Sequence, residues 1–455
     1  MSNVKKPILF ISIDGLANYY LKDPHFHMPN LQSLIEKGVV AESMKSIFPT
    51  ATWAIHTSLV TGCYPKKHGV LGNWVYDRKL RQVGEHFGDV TWTKEESVFK
   101  KTIYDLAQEN NWTTASICWP KTREASTIDY NIPEYYKQEL FDQYCTKDLW
   151  EELKAVGLPV DKYGSWSKDH ARGHMQDWLT TEIAIHLIRN HQPDLLMMHY
   201  LLPDSYQHDY GTRSKEVYWS LQFLDEQLGK LFNELKTKGS WDQTNIFVVS
   251  DHGFVDTLWT FSPNVLFKKM GWLDPDNLET AQVIATSNGG SGYVYVLEQE
   301  IQERNKILEE VKEQMTKTQG VKKLYESKEF ASLGLPDEDE FLSHRPDFVF
   351  EMEKDYFIHF QNEGNQVIEK QTKFKGMHGY SPNLEEMKAM FVAHGPTIRE
   401  GITISEIQAI DVAPTIARLI GNELSDIDGR EITELWKVGV EVGNSPKNQN
   451  HYSKA

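Results

Sequence analysis

What most constrains this chain is the alternation of short, wholly apolar runs with longer amphipathic ones. Ile8 to Ile13 is a continuous β-branched and aliphatic run that stops at Asp14-Gly15. A strand with one face in water would alternate polar and apolar residues, so such a run predicts a strand buried on both faces of a parallel sheet. Next comes Asn30-Leu-Gln-Ser-Leu-Ile-Glu-Lys-Gly38, a short amphipathic helix closed by glycine. The pattern recurs as a helix near 181–189, a strand over 195–199, a helix over 215–235 and a strand over 246–250. Late in the chain a strand over 390–393 is followed by a helical stretch over 404–420. Strands alternating with helices specify an α/β fold, a doubly wound and mostly parallel sheet with helices on both faces. Ligands of such sheets gather at the carboxyl ends of strands. Asp14, the segment Asp204 to His208, and Asp251-His252 all fall at those ends.

Two stretches, about 121–175 and 255–345, break the alternation with aromatics, charge and irregular spacing, and are expected to be cap insertions over the sheet. The expected organisation is one catalytic domain over 1–440 and a loose tail over 441–455. With 455 residues, 40% of them hydrophobic, the chain can bury a large core. Its 48 Lys and Arg against 65 Asp and Glu give a formal charge of -17, which opposes polymeric nucleic acid and anionic membrane but not a small phosphate or nucleotide. Cys63, Cys118 and Cys145 are an odd number without zinc-ribbon spacing, so neither a disulfide framework nor a thiolate metal site is expected. The apolar run at Ile8 is too short to span a membrane and lacks a cleavage site, so a cytoplasmic location is expected. Oligomeric state is not legible.

Four segments carry metal-ligand chemistry. Asp251-His252-Gly253 follows an apolar strand and offers a carboxylate and an imidazole at a tight turn. Asp204 and His208, four apart, can meet one ion if their segment coils. His378 lies between Gly376 and Gly379, where the backbone can bend, and Asp14 would be a costly carboxylate at a buried strand end without a cation or donors. Each segment alone also fits a polar turn or a capped helix start. Pro49-Thr50-Ala51-Thr52 leads into a short apolar helix, whose N-terminal amides favour a phosphate. Thr52 is the candidate nucleophile, with Thr50 or Thr52 as a plain N-cap the alternative. The Asn73 amide, in a turn-rich loop, can donate to a phosphoryl oxygen.

As an ordered set these residues resemble the nucleotide pyrophosphatase/phosphodiesterases of the alkaline phosphatase superfamily. The set comprises Asp14-Gly15, Pro49 to Thr52 with Leu59-Val60-Thr61-Gly62, His68-Gly69 with Asn73, Asp204 with His208, Asp251-His252-Gly253 and His378-Gly379. The resemblance implies an alkaline-phosphatase-like fold and two zinc ions, for which manganese or iron can substitute. It assigns Asp204, His208 and His378 to one ion and Asp14, Asp251 and His252 to the other. Thr52 would bridge toward the second ion and form a phosphothreonine, while Asn73 and the Trp53 N–H hold phosphoryl oxygens. Trp53-Ala54-Ile55 departs from the Phe-Pro-Asn common in that family.

Phosphonoacetate hydrolases are also similar, through Gly72-Asn73-Trp74, and in that reading Lys121 and Arg123 grip a substrate carboxylate rather than being solvated loop charges. A non-catalytic binding protein on the same fold is the alternative from another class. The aromatics Trp119, Tyr130, Tyr135, Tyr136 and Trp166 either stack a nucleobase or fill a local core. No Arg or Lys lies between Trp53 and Pro65, which favours diesters over the more highly charged monoesters.

Overall fold

A computed structural model describes residues 5–439 and 442, apart from 87–90, 275, 338–340, 342, 361–362 and 371–372. The first apolar run is strand β1, Ile8–Ile13, buried along its whole length. Pro29–Lys37 forms helix α1, Val39–Ala41 β2 and Thr52–Thr61 α2. Thr114–Trp119 (β3), Tyr130–Pro133 (β4), Gly173–Asn190 (α3), Leu195–Tyr200 (β5), Leu202–Tyr210 (α4), Lys215–Thr237 (α5) and Asn245–Val249 (β6) follow. The chain then leaves to build Val283–Ser287 (β7), Ser291–Val296 (β8), Val321–Glu326 (β9) and Phe348–Met352 (β10). It returns as Phe391–His394 (β11), Ile402–Ile404 (β12) and Val412–Ile420 (α6).

The main sheet runs β12-β2-β11-β6-β1-β5-β3-β4. Strand β1 is parallel to both β5 and β6, β3 is parallel to β5 and β4, and β11 is antiparallel to its neighbours β6 and β2. Helices cover this mostly parallel sheet, as expected for an α/β fold whose strands are apolar on both faces. The register sets up the site: Ser12 on β1 lies opposite His199 on β5 and opposite Val249 on β6. Two residues further on, Asp14 comes level with Asp251.

The irregular stretches resolve differently from each other. Strands β7, β8, β10 and β9 pair antiparallel in that order into a second sheet with its own core, including Phe267, Tyr293, Tyr295, Phe348 and Phe350. This sheet continues past residue 345, because β10 pairs back onto both β8 and β9. The 121–175 stretch, expected over the sheet, instead supplies β4 to the edge of the main sheet and buries Tyr135, Phe141, Trp150 and Tyr163 in the main core. Its aromatic spacing is irregular because short helical pieces, not one long helix, deliver those rings. Helix α6 starts at Val412 rather than near 404. Residues 402–404 pair with β2 instead, and Pro414 falls in the first helical turn, where its missing N–H has no partner to lose. The expected tail over 441–455 lies outside the described residues except for Val442. Among the described residues no helix is long and apolar enough to cross a membrane.

Candidate active site

The fold brings the separated Asp and His residues to one edge of the main sheet. Asp14 ends β1 and Asp251-His252 follow β6, while Asp204 and His208 sit one turn apart on α4. His378 comes from the loop that returns from the second sheet, directly after Gly376-Met377 pairs with Val255-Asp256. His208 Nε2 lies 3.5 Å and His378 Nε2 3.9 Å from the Asp204 carboxylate. His252 Nε2 lies 3.4 Å from Asp14 and 3.3 Å from Asp251. Ligand atoms of Asp204, His208 and His378 converge within 4.8 Å of one another, as do those of Asp14, Asp204 and His252.

Every one of the three imidazoles is anchored through its other nitrogen. His208 Nδ1 faces the Gly376 carbonyl at 3.0 Å, His252 Nδ1 the Gly253 carbonyl at 3.2 Å and His378 Nδ1 the Thr50 carbonyl at 2.8 Å. A carbonyl only accepts, so each Nδ1 carries the proton and each Nε2 turns a lone pair inward, the tautomer a metal requires. The aspartates are divided in the same way. Asp251 Oδ1 accepts from the Gly15 N–H at 3.1 Å and the His252 N–H at 2.8 Å. Its Oδ2, Asp14 Oδ1 and Asp204 Oδ1 are sealed from solvent with no hydrogen-bond donor. Orphaned carboxylate oxygens cost several kcal/mol in a protein interior, and six inward-facing O and N donors suit divalent cations of the zinc type. The donor set therefore fits divalent metal.

Thr52 is the first residue of α2 and is buried at 6% exposure, its Oγ1 3.2 Å from His252 Nε2. Ala51 is the cap of that helix, so neither Thr50 nor Thr52 serves as N-cap. Thr50 instead ties down the His378 loop, accepting from the Gly379 N–H and donating to the Tyr380 carbonyl, both at 2.9 Å. Gly379 has φ +91°, and a Cβ there would stand 1.5 Å from the Asn288 carbonyl oxygen, so the loop admits no side chain beside His378. Asn73 Oδ1 accepts from the Trp53 N–H at 3.2 Å. That N–H, expected to face phosphate, is thus engaged with Asn73, and the bond leaves the Asn73 amide nitrogen as the donor.

Burial, followed by the charge of Asp251, pushes Asp204 up to about 8; Asp14 rises well above the usual carboxylate range for the same reasons. Burial pulls His208 down to about 4 and His252 to about 3, and His378 also falls well below the ordinary imidazole value. Neutral imidazoles beside mutually repelling carboxylates are the electrostatic complement of bound cations.

Sequence reasoning missed His199 and Glu134 beside Asp14. The available signal was a histidine in the otherwise apolar strand Leu195–Tyr200. Of the expected base-stacking aromatics, Trp119, Tyr135 and Trp166 are buried core residues, while Tyr130 and Tyr136 are half-buried. Lys121 is buried with its Nζ on the Trp92 carbonyl at 2.9 Å, and Arg123 is held by Tyr144 and Glu124.

A sequence model of the type I phosphodiesterase / nucleotide pyrophosphatase family matches residues 8–381. The chain belongs to that family. Its members are phosphodiesterases and nucleotide pyrophosphatases, and on that ground the chain is a phosphoric ester hydrolase. It is 25% identical over 422 residues to bis(5'-adenosyl)-triphosphatase ENPP4 of Bos taurus, spanning 91% of this chain and 78% of that one. To venom phosphodiesterase of Naja atra it is 24% identical over 413 residues, 90% of this chain and 43% of the other. An inactive variant of murine ectonucleotide pyrophosphatase/phosphodiesterase 5, in complex with AMP, superposes with a TM-score of 0.68 at 19% identity, covering 95% of this chain and all of that one, so the fold is shared.

Proposed function

We propose that this protein is a two-metal phosphodiesterase and nucleotide pyrophosphatase that works through a phosphothreonine on Thr52. The observation that carries the proposal is the inward convergence of six Asp and His donors, with the Thr52 hydroxyl 3.2 Å from His252 among them. Asp204, His208 and His378 would hold one ion, and Asp14, Asp251 and His252 the other, with zinc the best match to mixed carboxylate and imidazole donors. Bound there, two divalent ions supply the positive charge that acidifies a hydroxyl and offsets anionic phosphoryl oxygens.

The chain's own residues account for the rest. Thr52 Oγ1, fixed at the first turn of α2, forms a bond to phosphorus as the bond to the leaving oxygen breaks, and its hydroxyl proton is lost to solvent. Water then cleaves the phosphothreonine and restores Thr52. The N-terminal end of α2 favours the phosphoryl anion, and Asn73, held by the Trp53 N–H, aims its amide donors at a non-bridging oxygen. The relatives' names, a dinucleoside triphosphatase and a phosphodiesterase, and a fold neighbour solved with AMP support a nucleotide diester or phosphoanhydride as substrate. The absence of Arg and Lys from Trp53 to Pro65 supports diester over monoester preference. The phosphonoacetate reading is disfavoured, because the two cations it needs, Lys121 and Arg123, are already engaged.

The test compares catalytic efficiency on a nitrophenyl nucleotide diester, nitrophenyl phosphate and phosphonoacetate, with metal content measured on the same preparation. Two ions per chain and preference for the diester are expected. A clear preference for either competitor, or activity indifferent to chelation, refutes the proposal.

A further inference from the structure

Among the inward-facing carboxylates, Asp14 has a buried imidazole beside its second oxygen, and that imidazole has a buried carboxylate behind it, both contacts at ion-pair distance rather than as hydrogen bonds. Its Oδ1 turns to His252 Nε2, at 3.4 Å, and meets no hydrogen-bond donor, whereas its Oδ2 faces His199 Nε2 at 3.3 Å. The other ring nitrogen of His199, Nδ1, lies 3.5 Å from Glu134 Oε2. His199 is fully buried and Glu134 6% exposed, so neither is there for solubility. The sheet order explains the line-up: Asp14, His199 and Glu134 occupy the carboxyl ends of β1, β5 and β4, with β3 between the last two. His56 packs against His199 with ring centroids 4.2 Å apart, but both its nitrogens are committed, to the Thr52 carbonyl at 2.8 Å and the Ser12 hydroxyl at 2.9 Å. It therefore cannot substitute for His199.

We infer that His199, anchored by Glu134, is a positioning residue that fixes Asp14 with one oxygen tied back and the other free for the metal of the Asp14, Asp251 and His252 site. The inference rests on the two-metal reading above. Physically, a carboxylate whose second oxygen is confined by a buried neighbour keeps little torsional freedom to lose when an ion binds. Outer partners of metal ligands typically contribute about 10- to 100-fold in metal affinity. The half-exposed cluster of Glu152, His186 and His191 shows the contrast. There the carboxylate meets both Nε2 atoms at 2.8 and 2.9 Å, while His186 Nδ1 faces the Asn190 amide nitrogen at 3.1 Å. A donor on Nδ1 puts the proton on Nε2, the tautomer opposite to that of a ligand. That cluster is satisfied by its own hydrogen bonds, whereas the row ending at Glu134 points at the site.

The test titrates zinc against a chromophoric chelator in the wild type, His199→Gln, Glu134→Gln and the double variant, with thermal melting followed alongside. His199→Gln is expected to weaken one of two zinc sites by about 10- to 100-fold and leave the other unchanged, since Asp204, His208 and His378 do not depend on it. Glu134→Gln, nearly isosteric, is expected to act in the same direction more weakly, and to add nothing in the His199→Gln background. If His199→Gln fails to fold, the Glu134→Gln titration decides alone. Two tight sites in the wild type that stay within about threefold in both variants overturn the anchor while leaving the two-metal reading standing. Equal weakening of both sites together with a lower melting temperature reduces the row to a structural role. A wild type that binds fewer than two ions overturns the two-metal reading and the anchor with it.

Discussion

Thr50 and Thr52, two residues apart, should fail in opposite ways when each is cut back to alanine. Thr50 is fully buried, and its hydroxyl makes two hydrogen bonds at 2.9 Å to the His378 loop, one from the Gly379 N–H and one to the Tyr380 carbonyl. Each bond contributes about 1 kcal/mol net, and the stranded N–H and carbonyl add about 1–3 kcal/mol of desolvation. Thr50→Ala is therefore expected to destabilise by about 3–5 kcal/mol. Activity should survive in what folds, because the carbonyl that accepts from His378 Nδ1 belongs to the main chain and is unchanged. Thr52 has a single longer contact, 3.2 Å to His252, so Thr52→Ala should cost less than about 1 kcal/mol while removing the nucleophile. Loss of turnover by about 10³-fold or more is expected. Urea unfolding of both variants, paired with hydrolysis of a nitrophenyl nucleotide and metal content, separates the outcomes. A Thr50→Ala protein as stable as wild type, or a Thr52→Ala protein that still turns over, refutes the division of roles.

Stripped of metal, the protein should lose stability as pH rises from about 4 to about 8 and level off above, because folding raises the Asp204 carboxyl from 3.8 to about 8 through burial and the Asp251 charge. Between those two values the folded state holds a proton that the unfolded state has released, so each step up in pH favours unfolding; saturating zinc should flatten the slope, and urea midpoints with and without chelator check both. Gly379→Ala should prevent assembly of the His378 loop, since its Cβ would stand 1.5 Å from the Asn288 carbonyl oxygen at φ +91°; circular dichroism and zinc content report it. Lys121→Met should leave diester hydrolysis within about threefold, because the amine is buried on the Trp92 carbonyl rather than presented to substrate, and steady-state kinetics decide.

Much of the fold was legible because buried parallel strands announce themselves as apolar runs. Ile8–Ile13, Leu195–Tyr200 and Asn245–Val249 were read nearly to the residue, and Asp14, Asp204 and Asp251-His252 were placed at or beyond their ends. The stretch 121–175 misled because its aromatic rings are carried on short helical pieces whose spacing has no period, and only packing shows that they fill the main core. Residue identity supplied the candidate donors, since Asp and His carry metal-ligating atoms, and their order along the chain set them apart from polar turns. Which nitrogen of each imidazole faces inward was set by carbonyls at Gly376, Gly253 and Thr50, and backbone direction is not written in residue types. His199 and Glu134 are 65 residues apart in sequence by their own numbering and meet Asp14 only because β1, β5 and β4 share one sheet edge. The sequence by itself determined the parallel sheet and the set of donors, because burial and ligand chemistry are properties of single residues. The tertiary structure alone decided how those donors are aimed, because orientation is fixed by partners that chain order does not bring together.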